Sequence, residues 1–172
     1  MTFTGFNNIL DQKNFELWNE IQKHFKIEIY QHEKPYSELF SQKKHVKIYV
    51  NKEIDSASFT HELLHLWIEQ KEIYIGSSLK LLVEEDIKLK KIFSNELLNH
   101  IGNTCEHIKM LPKFLSLGYS SDHFLFDYNQ NKCTELELKT IERKYRFRTI
   151  YQSKAIDAFI GRFFAVNADN NS

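Results

Sequence analysis

The sequence predicts an α+β fold, in which a small N-terminal β-sheet packs on a mainly helical domain. Two segments, KIEIYQ at 26–31 and HVKIYVNKEI at 45–54, alternate apolar and polar residues, as strands with one buried face do. Downstream, apolar residues recur at helical spacing over most of the chain. Hydrophobic residues make up 42% of the 172 residues, and only five glycines and two prolines interrupt them, so we expect one compact domain over residues 1–172.

The first half of the chain supplies the predicted sheet and the helices on either side of it. Asp11 is a candidate N-cap for a helix over 11–25, because apolar residues follow it at helical spacing. The two strands come next, joined by a loop that contains Pro35. Asp55, Ser56 and Ser58 are then candidate N-caps for an apolar helix that runs to about Gln70.

Helices dominate the second half. Residues 79–117 favour helix except at two expected breaks, near Ser94 and near Pro112. The second is expected because proline disfavours helical geometry in the residue before it. Two or three helices fit this stretch. A loop follows, and two further helical patterns cover 134–146 and 151–165.

Charge and composition exclude several classes of partner. The 23 basic and 23 acidic residues balance, so the chain lacks the positive field that attracts nucleic acid or an anionic membrane. A basic run at 139–148 also carries glutamates, which favours a solvated helix face. The N-terminus has no signal-peptide pattern and no apolar run is long enough to span a bilayer, so we expect a cytoplasmic protein. Cys105 and Cys133 have the spacing of neither a zinc ribbon nor a redox pair.

The stretch SASFTHELLHLWIEQ, residues 56–70, carries the main chemical signal. His61 and His65 are four residues apart, so on a helix they project from one face and can share a metal ion. Glu62 lies about 100° around the axis from His61. Its carboxylate is then beside the metal, where it can act as general base on a zinc-bound water. Histidines satisfied by backbone or solvent are the other interpretation, but chance gives only about 0.03 such matches in a chain of this composition.

These residues resemble the zincin superfamily of HExxH zinc metallopeptidases. His61, Glu62 and His65 match its motif, and a strand precedes the motif helix as in that superfamily. The resemblance covers residues 45–70 and implies a zincin-like fold with Zn²⁺ as cofactor. It also implies that 45–50 is the edge strand on which an extended peptide substrate lies.

A catalytic zinc needs a third protein ligand, and the sequence leaves several candidates. The extended HExxHxxGxxH pattern is absent, because neither glycine nor histidine arrives in the next turn after His65. Glu84 has a separation that resembles one large group of glutamate-ligand zincins, and Glu85 follows it. Both belong to a lysine-rich stretch whose i, i+4 pattern is typical of a solvated helix face.

The segment 95–119 is the stronger source of that ligand. On a helical projection, its polar side chains share one arc and its apolar side chains, Ile108 among them, lie opposite. We predict Glu106 as the third ligand, with His107 as the alternative ligand and His107 or Asn103 as residues that orient a ligand or contact substrate. Small bacterial proteins with HExxH, an NxxEH helix and a downstream Gly-Tyr look similar, and the matching residues here are Asn103, Glu106, His107, Gly118 and Tyr119.

The predicted function is zinc-dependent hydrolysis, of a peptide or protein substrate, by a small bacterial-type metallopeptidase. Tyr119, His123 and Tyr128 are candidates for stabilising the oxyanion, since they follow the third-ligand segment. The alternative is a regulatory or binding protein of zincin fold that zinc stabilises and that cleaves nothing. Neither hypothesis involves nucleic acid or a membrane.

Overall fold

The computed structural model describes residues 9–34, 37–125, 133–146 and 153–168. Within them the fold is α+β, as predicted, with one three-stranded sheet. Its strands are β1 (Lys26–His32), β2 (Glu38–Gln42) and β3 (His45–Asn51). β1 and β3 confirm the two predicted strands. β2 was not predicted, because its sequence ELFSQ is short and its apolar and polar residues do not alternate.

The spatial order of the sheet is β1-β3-β2. β1 runs parallel to β3 with Lys26 opposite His45, and β2 runs antiparallel to β3 with Leu39 opposite Ile48. β3 is therefore the middle strand, paired on both sides. The expectation that 45–50 forms a free edge for a peptide is wrong, because both rows of its backbone hydrogen bonds are already used.

Seven α-helices and one 3₁₀ turn complete the described part of the chain. The helices are α1 (Phe15–Ile21), α2 (Ser56–Glu69), α3 (Ile75–Glu85), α4 (Ile87–Ile92), α5 (Asn95–Ser116), α6 (Glu135–Arg146) and α7 (Ser153–Ala168), and the 3₁₀ turn is Ser121–His123. None of the helices in the described ranges is both long and apolar enough to cross a membrane.

The break expected at Ser94 is present, but the one expected at Pro112 is absent, since α5 continues through that proline. Ser94 ends the gap after α4, and its hydroxyl accepts a hydrogen bond from the Leu97 N–H at 3.1 Å, as an N-terminal capping residue does. Pro112 removes the hydrogen bond to the carbonyl of Ile108. The Ile108 side chain is 47% exposed, so that turn of the helix faces solvent and water can satisfy the carbonyl.

The described residues divide into two compact units. The first comprises those up to Ile73 and those from Met110 to residue 125, and the second comprises Tyr74–Lys109 and the described residues from 133 on. In the first unit, one hydrophobic core joins the sheet to α2 and to the end of α5. Its fully buried members include Ile48 of β3, Leu64 of α2 and Phe114 of α5.

In the second unit, α3 and α5 approach closely at two glycines. A Cβ on Gly102 would lie 2.6 Å from the Gly76 Cα, so only a residue without a side chain allows this spacing. The His100 ring contacts the Gly161 carbonyl of α7 at 3.0 Å, and Arg162 of α7 pairs with Glu137 of α6.

Candidate metal centre

The motif helix α2 begins at a set of hydrogen bonds that fix its first turn. The Asp55 side chain accepts a hydrogen bond from the Ser58 N–H at 2.7 Å, so Asp55 is the N-cap among the three predicted candidates. Buried Asn14 donates from Nδ2 to the Thr60 hydroxyl at 3.0 Å. Because Thr60 is the residue before the first motif histidine, these bonds hold the start of the motif in place.

Asp11 and Tyr119 extend this polar cluster. The Tyr119 hydroxyl donates to Asp11 Oδ1 at 2.9 Å, and the Ser56 hydroxyl donates to Asp11 Oδ2 at 2.7 Å. Burial alone raises the pKa of Asp11, but the hydrogen bonds from Ser56, Tyr119 and the backbone outweigh it and lower the pKa below its ordinary value. Tyr119 is 7% exposed and bonded within this cluster, so it packs and anchors the helix.

Helical spacing brings the two motif histidines together, as predicted. His61 Nε2 and His65 Nε2 lie 3.2 Å apart, with their rings at 71° to each other. Two nitrogens that each lie about 2.05 Å from one ion at the tetrahedral angle are separated by about 3.3 Å. The observed spacing therefore suits a shared zinc ion. A direct hydrogen bond between the two rings would give the same spacing. A third potential ligand close to both nitrogens would favour the metal site over the hydrogen bond.

His107 is a third potential ligand close to these two histidines. One ligand atom from each of His61, His65 and His107 can be chosen so that all three lie within 4.8 Å of one another. His107 is on α5 one turn before Met110, and the same helix carries Met110 and Phe114 into the core that contains α2. This is the one group of three or more potential metal ligands found among the described residues.

The polar and apolar faces predicted for α5 match the structure near the start of the helix and differ from it further along. Near its start the division holds, because Asn99 is exposed while Leu98 is buried. Further along it is wrong: His107 is 8% exposed and Ile108, expected on the apolar side, is 47% exposed. The buried face continues through Thr104, His107 and Met110, three residues apart each time.

The other predicted ligands lie outside the three-histidine group. Glu106 is half-buried and Asn103 is exposed, so the roles predicted for them stay predictions. Glu84 and Glu85 are both exposed. Of the oxyanion candidates, Tyr128 lies outside the described residues.

Glu62 faces a cavity of about 570 Å³ that His61 also lines. Burial raises the pKa of the Glu62 carboxyl, and the neighbouring His65 acts in the opposite direction. The cavity continues along the Asn51–Asp55 connection and reaches His123 on the 3₁₀ turn. His123 is therefore the oxyanion candidate that shares a cavity with the motif.

An aromatic cluster that local sequence patterns do not indicate supports the motif. The Phe124 ring packs on the His61 ring at a centroid distance of 4.9 Å and on Phe114 at 5.1 Å. Phe114 in turn stacks on Tyr119 at 4.9 Å. These rings restrict the orientation of the first motif histidine. Their contacts join segments far apart in the chain, which local sequence patterns do not report.

No protein-family model, curated protein or solved structure matches this chain.

Proposed function

We propose that the protein is a zinc-dependent hydrolase, specifically a metallopeptidase. In this proposal His61, His65 and His107 hold the zinc ion and Glu62 is the general base. The observation that carries it is the approach of three imidazoles to within 4.8 Å of one another beside a cavity lined by a carboxylate.

The donor set fits zinc. Neutral imidazole nitrogen is a preferred zinc ligand, and three protein ligands leave the fourth position of a tetrahedral site for water or substrate, which is the arrangement of catalytic zinc. His107 replaces Glu106 as the proposed third ligand because the nitrogen of His107 lies within the group and Glu106 does not belong to it. A zinc ion held there would polarise the substrate carbonyl and make water easier to deprotonate.

Glu62 supplies the proton transfer. It follows His61 directly and lines the same cavity, so its carboxylate can accept a proton from a water molecule next to the histidines. The same group then returns the proton to the leaving amine. A peptide is the favoured substrate class because the cavity is open to solvent along the strand-to-helix connection and extends from the motif to His123.

Metal content and turnover test this proposal separately. We expect about one zinc per chain in the purified protein, lost in a His61→Ala/His65→Ala double variant and retained when exposed His45 is changed to alanine. Cobalt substitution would report the ligand set through its visible spectrum. A wild-type protein that binds no divalent ion would refute the metal centre.

Glu62→Gln tests catalysis. This variant should keep zinc and lose hydrolysis of a mixed peptide library by about 100-fold or more, the usual effect of removing a general base. Equal turnover by wild type and Glu62→Gln would exclude the proposed base. Zinc binding without turnover of any peptide by the wild type would favour the non-catalytic zinc protein.

A further inference from the structure

The face of the sheet that points away from the hydrophobic core carries aromatic rings from all three strands. Ile48 of β3 is fully buried, so its neighbour Tyr49 points to the opposite, outer face. There the Tyr49 ring stacks on Tyr30 of β1 at a centroid distance of 5.3 Å, and the ring of Phe40 of β2 lies at 90° to it at 5.7 Å. Phe40 is 58% exposed, so one ring of this outer face is open to a ligand.

Basic side chains collect at one end of the outer face, around a cavity of about 420 Å³. The register of the sheet sets Lys26 of β1 opposite His45 of β3, and Lys47 lies two residues further along β3 on the same face. These three exposed side chains line the cavity together with Phe40. The parallel pairing of β1 with β3 therefore brings two lysines and an imidazole next to an exposed ring.

One carboxylate, that of Glu28, lines this cavity among the described residues. The Tyr30 hydroxyl donates to Glu28 Oε2 at 2.7 Å, and this hydrogen bond is the main cause that holds the pKa of Glu28 below its ordinary value. The charges of Lys47, Lys26 and His45 lower this pKa further. The ion pairs within the described ranges include neither of the two lysines. The cavity therefore holds more positive than negative charge, and both lysines can bind an anion.

The chain around the cavity adds to this positive charge. Lys43 and Lys44 form the turn between β2 and β3, and the Lys26 N–H donates to the Lys44 carbonyl at 2.7 Å, which keeps the turn at this end of the sheet. Residues 26–52, which include the whole sheet, contain six lysines and three glutamates. Acidic and basic residues balance only over the full chain, so the net charge does not reveal the local excess on the sheet.

We propose that the outer face of the sheet binds single-stranded nucleic acid, with a base stacked on Phe40 and phosphate groups bound by Lys26 and Lys47. The imidazole of His45 adds a hydrogen-bond donor beside them. Exposed aromatic rings stack on unpaired bases and neighbouring basic side chains bind the phosphates, which is how sheet surfaces hold single strands. An acidic peptide would pair with the lysines but leave the ring unused, and a duplex keeps its bases stacked on one another.

The inference is independent of the proposed hydrolase. Among the described residues, the cavity on the outer face shares no lining residue with the cavity that contains Glu62. Binding of nucleic acid and hydrolysis of peptides can therefore be measured, and can fail, separately.

Fluorescence anisotropy tests the inference with a short labelled oligonucleotide of mixed sequence, supplied as single-stranded DNA and as single-stranded RNA. The controls are the same sequence as a duplex and a labelled poly-glutamate peptide. We expect the single strands to bind at least about tenfold more tightly than either control, and the affinity to fall as the salt concentration rises. No binding of either single strand, or equal binding of the duplex or of the peptide, would overturn the inference.

Charge removal from the outer face identifies where the strand binds. Lys26→Gln combined with Lys47→Gln should weaken binding at least about tenfold, because two phosphate contacts are lost. The matched control, Lys88→Gln combined with Lys90→Gln, removes the same charge from exposed positions on α4 and should change the affinity by less than about twofold. Equal losses of affinity in the two double variants would place the strand elsewhere and contradict the inference.

Phe40→Leu tests the stacking contact. Loss of the ring should weaken binding about fivefold or more, whereas Phe163→Leu, at a position 57% exposed, should leave binding unchanged. Phe40→Tyr keeps a ring and should bind as the wild type does. Thermal unfolding of each variant checks that the fold is intact, as we expect for largely exposed positions. A Phe40→Leu variant that binds as tightly as the wild type would refute the contact between base and ring.

Discussion

Substituting alanine at the two glycines where α3 meets α5 should give opposite effects on stability. A Cβ on Gly102 would lie 2.6 Å from the Gly76 Cα and 3.2 Å from its nitrogen. A Cβ on Gly76 would meet the Gly102 Cα at 3.6 Å, an ordinary contact. The first atom collides with backbone, which cannot rotate away, so the helices must separate by several tenths of an ångström. The second atom fits the existing spacing.

The magnitudes follow from two opposing effects. Alanine in place of glycine in a helix interior gains about 1 kcal/mol from propensity; this gain applies in full to Gly102 and only in part to Gly76, which lies in the first turn of α3. Overpacking a closed contact costs about 1–3 kcal/mol, and at Gly102 the contact is with main chain, so we take the upper part of that range. Gly76→Ala should thus be more stable than wild type by up to about 1 kcal/mol, and Gly102→Ala less stable by about 2 kcal/mol.

Urea unfolding of the full-length chain, followed by circular dichroism, measures both free energies of unfolding against wild type. The difference in free energy of unfolding between the two variants is the informative quantity, since it mainly reports the steric cost at Gly102. A Gly102→Ala variant as stable as Gly76→Ala would refute the close approach of α3 and α5. Because His107 follows Gly102 on α5, the destabilised variant should also bind zinc more weakly if the proposed centre is correct.

Three further predictions concern the centre and its support. His107→Ala should weaken zinc binding at least about tenfold while Glu106→Ala leaves it unchanged, measured by competition with a chromogenic chelator; the reverse result would restore Glu106 as the ligand. The hydrogen bonds that lower the pKa of Asp11 stabilise the folded chain at pH values above the pKa that Asp11 has in the unfolded chain, near 3.8. This stabilisation is lost as the pH falls through the lower pKa that Asp11 has in the folded chain. Asp11→Asn should therefore be less stable at neutral pH and lose less stability on acidification, and parallel pH profiles of unfolding would contradict this. Phe124 is 4% exposed, so Phe124→Ala should lower the free energy of unfolding by about 3 kcal/mol or more and weaken zinc binding. Phe163 is 57% exposed, so Phe163→Ala should change the free energy of unfolding by less than about 0.5 kcal/mol. Equal shifts of the thermal unfolding midpoint in the two variants would refute the packing argument.

Local sequence signals predicted those parts of the fold that local physics decides. The motif helix is an apolar run with an aspartate before it, so its cap and its end near Gln70 could be expected from residues 55–70 alone. Strands β1 and β3 alternate with period two and were likewise evident. β2 was not predicted, because it becomes a strand through its pairing with β3, and that pairing is a non-local interaction. The same pairing places β3 in the middle of the sheet, which a single strand's sequence does not encode.

The choice of a third ligand depends on the helical phase of α5, because Glu106 and His107 are neighbours on it. Neighbouring residues on a helix point about 100° apart, and in the structure His107 is buried while Glu106 is half-buried. The helical projection placed Glu106 and His107 in the same polar arc and Ile108 opposite, whereas His107 is 8% exposed and Ile108 is 47% exposed. The apolar pattern of the last two turns indicates the phase of the buried face, since Phe114 lies seven residues after His107 and both are buried. Seven residues are about two helical turns, so a residue at the phase of Phe114 faces the same core, and the core that receives Phe114 also contains the motif helix.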